Sequence, residues 1–177
     1  MARVAYGDEN SSPTVRTLAD QIRKERDGRM LNLYSMLLNA PPVAQGWLAL
    51  FTAIRQQCTL RGDYRELVIL RVALLNGASY EYQVHVPFAL REGVTQEQLD
   101  TLDRWQDSGV LTPAQRAVLA YTDAMTRDIH VPDAVFEALR GHFNQREIVE
   151  LTATIGGYNL VSRFLEALAV DPESAHA

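Results

Sequence analysis

Cysteine is nearly absent from this sequence: Cys58 stands alone among 177 residues. One thiol excludes an intramolecular disulfide framework and a cysteine-built zinc cage. It lies in RQQCTL near a helix end, without a partner thiol or a neighbouring histidine, and reads as a small packing residue rather than a nucleophile. Long apolar runs are also missing, and none reaches the length of a membrane span. The opening MARVAYGDENSSP has no apolar signal-peptide core, so export is not expected and the chain reads as cytoplasmic. Basic charge is scarce too. A net charge of −5, a pI near 5.3 and scattered Lys and Arg speak against nucleic acid or an anionic membrane as partner. The one basic cluster, Arg23 to Arg26, is short and interrupted by Glu25.

What is present is helical spacing. Apolar residues make up 47% and charged residues 22%, which fits a globular chain able to bury a core. Val15, Leu18, Ala19 and Ile22 recur at three-to-four spacing, predicting a helix over 14–26. Further helices are expected over 31–39, stopped by Pro41-Pro42, and over 43–57. Residues 64–76 are apolar almost all round, which predicts a buried central helix closed by Gly77. Another is expected over 80–92, ended by Gly93. Thr95 with Gln98 reads as a capping box, and Thr112-Pro113 as a second helix start leading into 114–127. Segments 131–142 and 145–170 complete the set, the last expected to break near Gly156-Gly157. No stretch alternates with period two, so the expected class is all-α. The expected layout is a flexible arm over 1–13, one helical domain over 14–170 and a tail over 171–177. Arg65-Glu66-Leu67-Val68 is echoed by Arg146-Glu147-Ile148-Val149; two related hairpins and chance explain this short match equally well.

The chemistry-bearing stretch is NGASYEYQVH, where Tyr80, Glu81, Tyr82 and His85 fall close together. On a helix, Glu81 and His85 are four apart and share a face, with Cβ atoms roughly 5–6 Å apart. A carboxylate beside an imidazole favours the imidazolium, and apolar surroundings favour the neutral carboxyl, so such a pair can trade a proton near neutral pH. The helix start adds free N–H groups and a positive dipole end, which favour a carboxylate or a developing enolate. The plain alternative is a surface Glu–His pair. Glu66 opens an otherwise apolar helix, where it either faces inward or serves as a surface dipole partner. Arg71, in LVILRVALL, needs a carboxylate, and Glu66, Glu81 or a neighbouring subunit could supply it. Glu81, His85 and Glu66 are too few to predict a metal, and none is expected.

The order of these segments resembles the carboxymuconolactone decarboxylase family, which shares its fold with alkylhydroperoxidase D. The resemblance runs from LNLYSMLLNAPPVAQGW through RELVILRVALLNGASYEYQVHVPFALREGVTQEQL and covers roughly residues 31–169, most specifically 65–99. It implies an all-helical fold that assembles into homo-oligomers, trimers or hexamers, with sites near subunit contacts. In the peroxidase branch a glutamate is followed by Cys-x-x-Cys-x-x-x-His. Glu66 and His85 match, but Ala78 and Glu81 stand at the two cysteine positions, so the thiol chemistry of that branch has lost both its groups.

The decarboxylase branch needs no thiol, metal or organic cofactor. The resemblance therefore implies a cofactor-free lyase acting by proton transfer or decarboxylation on a small lactone or oxo-acid. His85 is the expected acid/base, Glu81 its orienting carboxylate, and Glu66 a second proton carrier or the group positioning His85. Tyr80 is the expected oxyanion donor, and Arg71 is expected to pair with Glu66 or hold a substrate carboxylate. The competing readings are a helical scaffold that has lost catalysis and a thiol peroxidase working through Cys58. The extended N-terminal part and the Ala-Ser-Tyr-Glu segment depart from the dedicated pathway enzyme.

Overall fold

The computed structural model describes residues 1–173, and every regular element among them is helical. Residues 174–177 of the expected tail lie outside the described residues. Among the described residues no helix is long and apolar enough to cross a membrane. The chain forms two compact units. The first is Met1–Gln57 with the chain from Phe164 onward, and the second is Cys58–Arg163.

The first unit holds α1 (Pro13–Glu25), α2 (Asn32–Leu37) and α3 (Pro41–Thr52), followed by one wide π turn over Ala53–Gln57. Ser12 caps α1 by accepting from the Val15 N–H, and Val15, Leu18, Ala19 and Ile22 form its buried stripe. α2 ends ahead of Pro41-Pro42, as expected, and the two prolines themselves open α3, two residues before the expected start at 43. A proline in the first turn loses nothing by lacking an N–H, because that donor has no partner within the helix. The arm expected to be flexible is tied down in this unit. The Arg3 N–H donates to the Leu168 carbonyl at 2.9 Å and the Gly7 N–H to the Ser35 carbonyl at 2.9 Å. The Tyr6 hydroxyl also donates to Asp171 at 3.0 Å.

The second unit is built on α4 (Gly62–Asn76), packed against α5 (Ser79–Arg91) and α7 (Pro113–Arg127). Between them lie α6 (Gln96–Asp100) and a 3-10 segment, Leu102–Asp107. α8 (Asp133–Arg140) follows, and α9 (Gln145–Leu168) runs on beyond the unit. Leu67, Val68, Ile69, Leu70 and Val72 of α4 are fully buried, so this helix is the expected central one. Leu67, Leu70, Ala89, Leu102 and Leu119 meet in one apolar cluster, each such side chain stabilising by about 1.5–3 kcal/mol apart from the smaller alanine. Gly77 closes α4 at φ 68°, which a glycine adopts without strain. The capping box read from the sequence at Thr95 with Gln98 is formed, and Thr112, read as a helix start before Pro113, forms a second one with Gln115.

The break expected at Gly156-Gly157 does not occur, and α9 is continuous. Two helical glycines cost about 1 kcal/mol each against alanine. Leu151, Ile155, Tyr158 and Val161 are buried on both sides of them, and that packing outweighs the propensity loss.

Candidate active site

α4 and α5 bring together two of the predicted residues. Glu66 lies one turn into α4 and is 1% exposed; His85 lies midway along α5 and is 5% exposed. Glu66 Oε2 and His85 Nδ1 share a hydrogen bond of 2.7 Å. The Arg65 guanidinium donates from Nε to the other Glu66 oxygen at 3.2 Å and reaches Glu92 at 3.2 Å. Glu66 is therefore a buried carboxylate held between a cation and an imidazole, which is how such a group is kept in a protein interior. Glu66, expected either as a second proton carrier or as the group positioning His85, is bonded to its Nδ1.

Glu81 is also buried, on the same face of α5 as His85. The Ser162 hydroxyl of α9 donates to its Oε2. Four residues earlier on α9, Tyr158 sets its ring perpendicular to the His85 imidazole, with centroids 5.2 Å apart. Phe88 lies 5.7 Å from the same imidazole. The Glu66 hydrogen bond and the contacts with Tyr158 and Phe88 hold the ring. Tyr80, in the first turn of α5, is buried as well.

Arg71 goes elsewhere. Its Nε and Nη2 donate to the two oxygens of Asp123 on α7 at 2.6 and 2.7 Å. Its Nη1 donates to the carbonyls of Leu102 and Asp103 at 3.0 and 3.1 Å. This corrects both expectations for the residue. Its carboxylate partner is neither Glu66 nor Glu81, and a guanidinium so committed does not hold a substrate carboxylate. It joins α4 to α7 and to the end of the 3-10 segment.

Burial pushes the Cys58 thiol up from its ordinary value, and the nearby Glu150 carboxylate pushes it further in the same direction. The thiolate is disfavoured there, opposite to what a peroxide-reducing cysteine needs. Among the described residues no three His, Cys, Asp or Glu side chains converge as a metal site.

Sequence reasoning missed Asp123, Tyr158 and Ser162. The last two carried a faint signal: polar atoms four residues apart in a helix whose neighbours Ile155, Val161 and Leu165 are apolar and buried.

Residues 41–124 match the carboxymuconolactone decarboxylase family, a span that includes Glu66, Glu81 and His85 but not Tyr158 or Ser162. The uncharacterized protein YnjA of Escherichia coli is 30% identical over 127 residues, which is 71% of this chain and 66% of that one. A protein of unknown function from Agrobacterium tumefaciens, described as a candidate AhpD antioxidant-defence protein, is similar in structure. It superposes with a TM-score of 0.73 at 27% identity, over 78% of this chain and 95% of its own. The alkylhydroperoxidase AhpD core of an uncharacterized peroxidase-related protein from Ralstonia eutropha gives a TM-score of 0.84. At 20% identity, over 98% of this chain and 93% of that chain, it shares the fold.

Proposed function

For a chain whose residues 41–124 match the carboxymuconolactone decarboxylase family, we propose a cofactor-free enzyme that moves a proton at carbon in a small lactone or oxo-acid. Decarboxylation is its most direct form. The observation that carries this reading is the buried Glu66–His85 hydrogen bond of 2.7 Å. With Nδ1 engaged by Glu66, His85 exchanges its proton with substrate through Nε2. Glu66 fixes the ring and stabilises the imidazolium, the service a carboxylate gives a catalytic histidine elsewhere.

In the decarboxylation, the bond from the α-carbon to the carboxylate breaks and its electron pair moves into the adjacent carbonyl, giving an enolate and CO₂. The Tyr80 hydroxyl donates to the enolate oxygen, and the positive end of α5 adds to the stabilisation. His85 then delivers a proton to carbon. Glu81 is a second buried carboxylate, on the same face of α5 as His85. The thiol peroxidase reading has less support, because the Cys58 thiol is raised and Ala78 and Glu81 stand where that branch carries cysteines.

The enzyme works in the cytoplasm as a homo-oligomer, trimeric or hexameric. Supporting assembly are apolar side chains left in solvent, among them Val43, Leu50 and Val149, at 53%, 45% and 68% exposure. The function is tested by CO₂ release from 4-carboxymuconolactone and a panel of related lactone and β-keto acids. Turnover that disappears in His85→Ala supports the reading. Turnover that His85→Ala leaves intact removes it, and a catalytically silent scaffold would turn over nothing.

A further inference from the structure

Ser162 lies outside the stretch that matches the family and is completely buried, yet its hydroxyl is spent on one carboxylate. The partner, Glu81, is 2% exposed and comes from α5, 81 positions away in the chain. We propose that Ser162 is a positioning residue of the site, holding Glu81 ionised and in one rotamer on the His85 face of α5. This deepens the acid–base function proposed above and rests on it for its catalytic consequence.

Three observations carry the assignment. A hydroxyl that donates to a carboxylate oxygen favours the ionised form, and it does so most where water is excluded. Tyr158 and Ser162 are four apart on α9 and so share one face. One packs edge-on against His85 while the other grips Glu81, so a single helix face orients both side chains. Glu66 and Glu81, meanwhile, are held by different groups: Arg65 and His85 hold the first, Ser162 the second.

Different surroundings give two carboxyl groups different roles, and that is the usual route to an acid and a base in one site. The division assigned here makes the Glu66–His85 pair the proton carrier and Glu81 the fixed negative charge. In the thiol-bearing branch that this chain resembles, a cysteine stands at the position of Glu81. A carboxylate there needs a donor to hold it, and Ser162 supplies one from a helix that the family match does not reach.

The experiment is isotope-edited infrared spectroscopy on full-length protein carrying ¹³C-labelled glutamate. Glu81→Gln removes one carboxyl band and thereby assigns it. In wild type that band is expected at a carboxylate frequency. Ser162→Ala should move it, toward the carboxylic acid position or to a less hydrogen-bonded carboxylate, and Ser162→Thr should return it. Ser162→Cys, which keeps an atom at the γ position and weakens the donor, gives the same reading if the alanine variant does not fold. A Glu81 band unmoved by loss of the hydroxyl overturns the proposal.

Kinetics separate positioning from mere packing. On any compound the wild type turns over, Ser162→Ala is expected to lower kcat about tenfold with KM unchanged, and Ser162→Thr to restore it. Unchanged kcat in a folded Ser162→Ala protein also overturns it. A wild type inactive on every compound counts against the acid–base function alone, and the Glu81 band still decides whether Ser162 holds the carboxylate.

Discussion

Glu66 and His85 meet at 2.7 Å although 19 positions separate them in the chain, and both are almost fully enclosed. The contact exists because α4 and α5 are packed side by side after the turn at Gly77, which returns the chain at φ 68°. Arg65 closes the other side of the carboxylate. The arrangement makes Glu66 more than a helix-start residue: it engages the Nδ1 nitrogen of the imidazole.

Replacing Glu66 by alanine leaves a buried imidazole and the Arg65 guanidinium without their shared acceptor. The expected cost is about 1–3 kcal/mol of stability, larger than for an exposed helix-start glutamate. Glu66→Gln keeps the shape and should fold with a smaller loss. Urea unfolding of the two variants against wild type measures the difference.

Arg71 and Asp123 form a buried bidentate ion pair, and removing one member strands the other. Arg71→Met is expected to destabilise by about 3–5 kcal/mol. The double variant Arg71→Met/Asp123→Leu should recover part of that loss, since the uncompensated charge is gone. A double-mutant cycle from urea midpoints checks both statements. A single variant as stable as wild type would contradict the structural role.

The Cys58 thiol, raised by burial and then by Glu150, is expected to be protonated at neutral pH. Its alkylation should be slower than that of an unperturbed cysteine and should accelerate as the pH climbs past 9. Cys58→Ala should leave CO₂ release unchanged and should abolish no hydroperoxide consumption. Iodoacetamide kinetics across pH test the first expectation.

Glu150 gives a pH dependence. Burial alone would raise its carboxyl, but the hydrogen bonds from Arg146, the Leu60 N–H and Thr59 outweigh burial and hold it below the ordinary value. The backbone donors Thr59 and Leu60 both lie 2.8 Å from Oε2. A carboxyl that binds protons more weakly when folded contributes stability above its unfolded value, about 4.3, and that contribution is lost as pH falls through the lower folded value. The stability gap between wild type and Glu150→Gln should therefore be widest near neutral pH. It should shrink steadily below about pH 4, as followed by urea unfolding at a series of pH values.

Much of the fold was legible because capping and periodicity are local. Thr95 with Gln98 and Thr112 with Pro113 announce their helices within four residues, and the apolar run around Leu67 to Ala73 announces burial. Gly156-Gly157 misled because tertiary packing around Ile155 and Tyr158 overrides a weak local propensity. The arm misled because its anchors, Ser35, Leu168 and Asp171, are distant in sequence. The site follows the same division. Glu66 and His85 were visible as residue types in a resemblance, but their direct contact depends on how α4 packs on α5.

Arg71 showed the need for a carboxylate and not its address, since Asp123 is 52 positions away. The Arg-Glu echo was uninformative for the same reason. Glu66 is buried against His85, whereas Glu147 is a half-buried cap that accepts from the Asn144 N–H.

The central claim is that the Glu66–His85 pair moves a proton to or from carbon. Deuterium incorporation from D₂O into the acidic C–H positions of small lactones and oxo-acids, followed by NMR, measures that step whether or not CO₂ is lost. Wild type is expected to exchange at least one compound, with His85→Ala and Glu66→Gln slower by about 10²–10⁴-fold. Exchange by wild type that persists undiminished in both variants would contradict the account.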